Sequence, residues 1–384
     1  MAIKHFTGLV LICIGLLSCT KSTDKEIKHN FTEKHIPISG SYLSYYPLDC
    51  VIYVEDGKEM FAGFNHLDHS IDFISLDGKG QNSSIALTKD GPDKVTNVGP
   101  FTMVSDSIII NGNYFMYVVD KQGRRLQHYN ALSRHSQVSF SGLDLDKYRI
   151  NLPDGIVVQA GKGNDLIVAH QKNSLIVPMY RGGKRTQADF YDSNAFAYVN
   201  LLHRNIEPIP VKFPEEYNKE FYGELDRPGY TLVGNKLVYN FPVSSTIYTY
   251  DIETGEQSSY NADSRFVPNQ TSPTTLADYE DTRKQTKHTA HSSQFFRITY
   301  DPYRKHYYRI QKGQTEGESL QNVRNNRYFT VMDENFNVLA EIPIEDSNYS
   351  SNYLIGREGV YFPLIDNGMG QNNLSFAVLK FEEK

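Results

Sequence analysis

The chain has 384 residues, with 39 Lys and Arg against 45 Asp and Glu, for a formal charge of −6. A mildly acidic chain lacks the basic excess that draws proteins to phosphate backbones, so no nucleic-acid partner is expected. Three cysteines cannot build a disulfide scaffold, and 27 Tyr and 21 Phe without a single Trp suit half-buried strands.

The N-terminus reads MAIKHFTGLVLICIGLLSC. Lys4 and His5 precede an apolar run from Phe6 to Leu17, which is too short to span a bilayer and fits a secretory h-region. Leu16-Leu17-Ser18-Cys19 has the order of a bacterial lipobox, so residues 1–18 read as a signal peptide and Cys19 as the lipidation site. Residues 19–31 read as a polar tether. Removing residues 1–18 takes Lys4 and no acid, so the mature charge moves from −6 to −7. Cys13 leaves with the signal, which leaves Cys50 alone in the fold and rules out an intramolecular disulfide.

From residue 32 to 384 the chain reads as one domain of short alternating apolar runs split by turn residues. One hairpin recurs: a strand, a turn rich in Asp, Gly or Asn, and a second strand. It starts at residues 70, 114, 195, 246 and 328, and half of it starts at 374. The starts lie 44, 81, 51, 82 and 46 residues apart, and the shorter steps match the period of a propeller blade. Two more strand-like runs precede each hairpin. Four strands in each of six units give an all-β, six-bladed β-propeller. The last unit ends one strand short. HIPISG near residues 35–40 is spare at the other end, and is expected to close the ring as the outer strand of the last blade. In YDPYRKHYYRI (300–310), Asp301-Pro302 opens a turn between two strands. Tyr308 and Ile310 then share one face and Tyr307 and Arg309 the other, with the tyrosines packing and the basic residues mostly solvated.

Connections within hairpins are short, whereas those expected on the opposite face are long, and long loops on a rigid scaffold concentrate binding residues. The candidates there are Arg181, Lys184, Arg185 and Tyr191 in RGGKRTQADFYD, Arg227 in the 214–229 loop, and Arg324 in NVRNNR. Arg283, His288 and His291 lie in TTLADYEDTRKQTKHTAH (274–291), which reads as a short helix capped by Thr274 or Thr275. Arginines and tyrosines of this kind hold anionic or sugar ligands. The pairs His66/His69 and His288/His291 lack a helical HExxH context, and no GxSxG or Walker loop occurs. No metal, cofactor or catalytic set is therefore expected.

LLSC, KDGPDKVTNVGPFTMVSDSIII (89–110) and YDPYRKHYYRI together resemble a family of six-bladed propeller lipoproteins of Bacteroidetes, TolB-like in shape and classed as a domain of unknown function. The resemblance implies the propeller and a cell-envelope location, and brings no activity or catalytic residue. The sequence thus points to a lipid-anchored envelope protein, with the outer membrane favoured and its periplasmic or surface side left open. It would bind or scaffold a protein, peptide or glycan through its long-loop face. The alternative is a hydrolase or lyase acting at the channel mouth.

Overall fold

The computed structural model describes residues 27–382, apart from 39–41, 44, 47–49, 81, 113–114, 131–155, 159–165, 182–183, 188, 316–325, 345–348, 351 and 366–371. Cys19, residues 1–26 and Arg324 lie outside the described residues.

Six small antiparallel sheets form six blades. From the axis outward, blade one is Cys50–Glu55, Lys58–Asn65, Ser70–Ser75 and Ser83–Ala86. Blade two is Phe101–Val104, Ser107–Gly112, Phe115–Asp120 and Arg125–Asn130. Blade three sets Ile156–Val158 and Ile167–Ala169 against Ser174–Arg181, then Asn194–Asn200 and Asn205–Lys212. Blade four is Gly229–Val233, Lys236–Asn240, Ile247–Asp251 and Gln257–Tyr260. Blade five sets Gln294–Phe295 and Thr299–Asp301 against His306–Lys312, then Arg327–Met332 and Val338–Pro343. Blade six is Leu354–Ile355, Val360–Pro363 and Asn373–Phe381, completed by His29–Pro37.

The closing strand runs antiparallel to Asn373–Phe381 from the pair His29/Phe381 to the pair Pro37/Asn373. It begins earlier than HIPISG, so residues 29–31, read as the end of the tether, are strand.

The hairpin repeat has a local cause. In four blades the outer hairpin turns at an aspartate whose carboxylate accepts backbone N–H groups just ahead of it. Asp77 accepts from Lys79 and Gly80, and Asp120 from Gln122 and Arg124. Asp251 accepts from Glu253 and Thr254, and Asp333 from Asn335 and Asn337. In blade three Asn200 plays this part toward His203. Such side chains satisfy turn amides that no ladder reaches.

The core is divided into six hydrophobic clusters, one in each gap between neighbouring blades. A middle strand is therefore covered on both faces. Blade five shows it: Tyr307 enters the gap toward blade four, while Tyr308 and Ile310 enter the gap toward blade six. The expected alternation holds, but the expected solvation does not. Arg309 is 0 % exposed. Its guanidinium donates to the Ser245 and Ala262 carbonyls of blade four and lies 4.5 Å from the Phe295 ring centroid. Arg304 is also engaged, donating to Asp301 Oδ2 at 2.6 Å and to the Gly356 and Arg357 carbonyls of blade six. Alternation along a strand predicts a solvent face only where one face of the sheet is bare, and here neither is. Asp301 is the hub of this stretch, also accepting from Tyr303 N, Arg304 N and the Tyr308 hydroxyl.

Deleting residues through Pro37 would bare the Asn373–Phe381 edge and open the gap between blades six and one. Stability is expected to fall by more than about 4 kcal/mol, with self-association through the exposed edge. Equilibrium urea unfolding and size-exclusion chromatography check this; a variant that stays monomeric and as stable as the parent would contradict it.

Candidate functional site: the channel mouth on the long-loop face

Turns at 56–57, 105–106, 234–235, 302–305 and 356–359 lie on one face of the disc. The opposite face carries the connections 87–100, 213–228 and 261–293 and the described residues of 182–193, whereas the long connections expected at 130–154, 312–326 and 366–373 lie mostly outside the described residues. Among the described residues the length asymmetry read from the sequence is present at 87–100, 213–228 and 261–293, while 66–69 and 241–246 on the same face are short.

Two cavities of about 380 Å³ each lie among the inner strands. The mouth cavity opens on the long-loop face between the starts of blades four, five and six. Glu224, Arg227, Phe296, Arg297, Asn352 and Tyr353 are among the residues that line it. The inner cavity follows the axis between the first strands of blades one, two, four, five and six, reaching Pro302 and Tyr303 near the short-turn face. Arg297 and Tyr353 line both.

Arg297 is placed there by a break in blade five. Gln294–Phe295 and Thr299–Asp301 both pair with His306–Lys312, and residues 296–298 bulge between them. Asn240 of blade four, 0 % exposed, staples the bulge. Its Nδ2 donates to the Phe295 and Phe296 carbonyls at 3.1 and 3.0 Å, and its Oδ1 accepts from Ile298 N at 3.0 Å. The Tyr353 hydroxyl donates to the Tyr308 carbonyl at 3.0 Å and lies 3.4 Å from the Arg297 carbonyl on the other side. A Cβ on Gly229 would collide with the Arg297 backbone, so only glycine allows this approach. Bulges re-aim side chains next to binding sites, and this one turns Phe296 and Arg297 into the mouth.

Of the residues proposed from sequence, Arg227 lines the mouth directly. Arg185 and Tyr191 stand behind it. Arg185 Nε donates to Asp226 Oδ2 at 2.5 Å and Nη1 to Glu224 Oε1 at 3.1 Å, while the Tyr191 hydroxyl donates to Asp226 Oδ2 at 3.3 Å. Tyr279 donates to the same Glu224 oxygen at 2.7 Å. The Asp226 side chain is wholly buried. Burial pushes its carboxyl above the usual range and the adjacent Arg185 pulls it back, leaving a net upward shift. Desolvation is the largest influence on Arg185 too, but Asp226 and Glu224 outweigh it and raise the guanidinium. These two candidates thus hold the 224–228 segment in place.

Arg181 pairs with Asp189 at 2.9 Å on the surface, and Lys184 is exposed. The expected helix is two, Leu276–Glu280 capped by Thr275 and Thr282–His291 capped by Asp281. Arg283 lies exposed on the second. His288 Nε2 lies 3.0 Å from the Ser272 carbonyl, and buried His291 has Nδ1 2.8 Å from Thr315 Oγ1. Both histidines border a separate shallow groove. Lys312, whose ammonium burial pushes down to about 8, donates to the Ala290 and Thr289 carbonyls at the end of this helix. Among the described residues, no three His, Cys, Asp or Glu side chains group as metal ligands.

Sequence reasoning missed Phe296, Arg297, Asn240 and Tyr353. One signal was present: Phe295 and Phe296 are consecutive in a strand that otherwise alternates, which is how a bulge reads.

Arg185→Ala would leave Asp226 buried without its cation, and a loss of about 3–5 kcal/mol at neutral pH is expected. The native Asp226 carboxyl, already raised, would rise further without its cation. The penalty falls on the ionised form, so the variant regains stability as pH drops through the raised native value toward the unfolded carboxylate range. Urea unfolding at pH 7 and pH 4.5 should show a smaller deficit at the lower pH. Equal deficits would contradict this, and Lys184→Ala should shift stability by no more than about 0.5 kcal/mol.

The model of the family described as Domain of unknown function (DUF4221) matches residues 33–343. A solved DUF4221 member from Bacteroides vulgatus superposes with a TM-score of 0.74 at 18 % identity, covering 94 % of this chain and 100 % of that one. A putative exported protein from Bacteroides fragilis superposes with a TM-score of 0.55 at 12 % identity, covering 92 % and 96 %. No curated protein matches the chain significantly. With the family model spanning residues 33–343, well over half its length, the chain belongs to the DUF4221 family.

Proposed function

We propose that this propeller is a lipid-anchored binding or scaffold module of the bacterial cell envelope. It receives a protein, peptide or glycan partner at the channel mouth on its long-loop face. The observation that carries the reading is the convergence of three features on one face: the long connections, the mouth cavity, and the bulge that turns Phe296 and Arg297 into it. Phe296 is 37 % exposed, and Arg227 beside it is exposed as well. Exposed aromatic and arginine side chains around a cavity are the common anchors of recognition.

The lipobox at Cys19 supports the anchor, and the similar Bacteroides fragilis protein, described as exported, supports the envelope location. The outer membrane is the membrane we assign, with acylated Cys19 as the attachment. Nothing favours the hydrolase or lyase alternative. Among the described residues lining the two cavities the one carboxylate is Glu224, already engaged by Arg185 and Tyr279.

The full lipidated protein, used as bait in native envelopes, should retain a partner that Arg227→Ala and Phe296→Ala each weaken by about tenfold or more. Lys58→Ala, beside the short turn at 56–57, should leave retention unchanged. Retention insensitive to both mouth variants would overturn the choice of face. Cys19→Ala protein is expected in the soluble fraction, and its persistence in membranes would overturn the anchor.

A further inference from the structure

The closing strand also fixes where the chain enters the disc. Val360, next to the 356–359 turn on the short-turn face, pairs with Leu379. The Phe381 end of Asn373–Phe381 therefore lies on that face, and His29 pairs with Phe381. Pro37, at the other end of the closing strand, pairs with Asn373 toward the long-loop face. The chain thus enters the propeller from the short-turn face, at the outer edge of blade six.

The attachment reaches further back than the strand. Glu382 N donates to the Lys28 carbonyl at 3.0 Å, and His29 Nδ1 donates to the Ile27 carbonyl at 3.0 Å. Ile27 packs, like Phe31 and Phe381, against the cluster between blades five and six. Residues 20–26 are all that separate Ile27 from Cys19. A stretch of that length reaches at most about 30 Å even when fully extended. The closing strand has nine residues and stands about 30 Å tall itself. If the mouth faced the membrane, the chain from Ile27 would have to run along the whole outer side of blade six to meet it. Nothing would be left to clear the connections 87–100, 213–228 and 261–293, which lie beyond the strand ends on that face. With the short-turn face toward the membrane no such detour is needed.

We propose that the tether holds the propeller with its short-turn face toward the membrane that carries acylated Cys19, and with its mouth turned away. The partner then reaches the mouth from the aqueous side, and is not a molecule embedded beside the anchor in the same membrane. The inference rests on the reading of Cys19 as the lipid attachment, and adds the direction in which the mouth opens.

Energy transfer on vesicles tests it. The full lipidated protein, with Cys50→Ser, carries a donor dye on one introduced cysteine at a time, and phosphatidylcholine vesicles carry an acceptor dye on their headgroups. Lys58→Cys and Lys89→Cys form one pair beside blade one, on the short-turn and long-loop faces respectively. Lys236→Cys and Lys184→Cys form a second such pair at blades four and three. All four lysines are exposed. The two faces are about 20–30 Å apart, so transfer from Lys58→Cys and from Lys236→Cys should each be severalfold stronger than from its counterpart. Inserting about thirty Gly and Ser residues after Lys21 adds about 30 Å of average reach, and should bring the two members of each pair together. Equal or reversed transfer with the natural tether, or an unchanged difference with the long one, would overturn the inference while leaving the anchor intact. Flotation with the vesicles is read on the same samples. Protein that does not float would overturn the anchor reading, and the orientation with it.

Discussion

Everything in this protein depends on the pairing of its two ends. His29–Pro37 lies along Asn373–Phe381 and completes blade six. Each blade is a sheet of four or five short strands, too small to hide its own apolar faces, and each is buried only by having a neighbour on both sides. The six clusters in the six gaps express that rule. Ile36 of the closing strand packs in the gap between blades six and one, beside Phe61, Tyr361 and Phe376. Burying a side chain of that size contributes roughly 1.5–3 kcal/mol, so an open ring would forfeit a whole gap. Among the described residues Cys50 is in no disulfide, and closure is achieved by ladder and packing.

Closure also makes the channel. Six inner strand positions face a common axis, and small departures from regular pairing decide what they present. The departure in blade five is held by a buried asparagine from blade four and by a tyrosine from blade six. A single residue, Arg297, is thereby set at the meeting of mouth and inner cavity. Behind the mouth, Arg185, Tyr191 and Tyr279 tie the 182–193, 213–228 and 261–293 connections together through Asp226 and Glu224.

The blade count and the closing strand were legible in the sequence because they rest on local chemistry. Aspartate turns recur at hairpins, and strand runs alternate. What escaped sequence reasoning depends on neighbours distant along the chain. Arg309 looks like a solvated base in YDPYRKHYYRI, yet blade four covers it. Arg185 looks like a ligand contact in RGGKRTQADFYD, yet its partners lie at 224 and 226. The mouth cavity draws on segments from 224 to 353, and no local pattern announces such a meeting. Of the proposed residues that are described, Arg227 alone combined a long-loop position with an outlook onto the cavity.

The most direct measurement is hydrogen–deuterium exchange of the protein with and without an extract of its native envelope, because it finds the occupied face without knowing the ligand. Slowed exchange in peptides covering 224–229, 294–299 and 352–355 is the expected result, since these segments frame the mouth. Protection confined to the turns at 56–57, 302–305 and 356–359 would place binding on the opposite face and contradict the mouth as the seat of recognition.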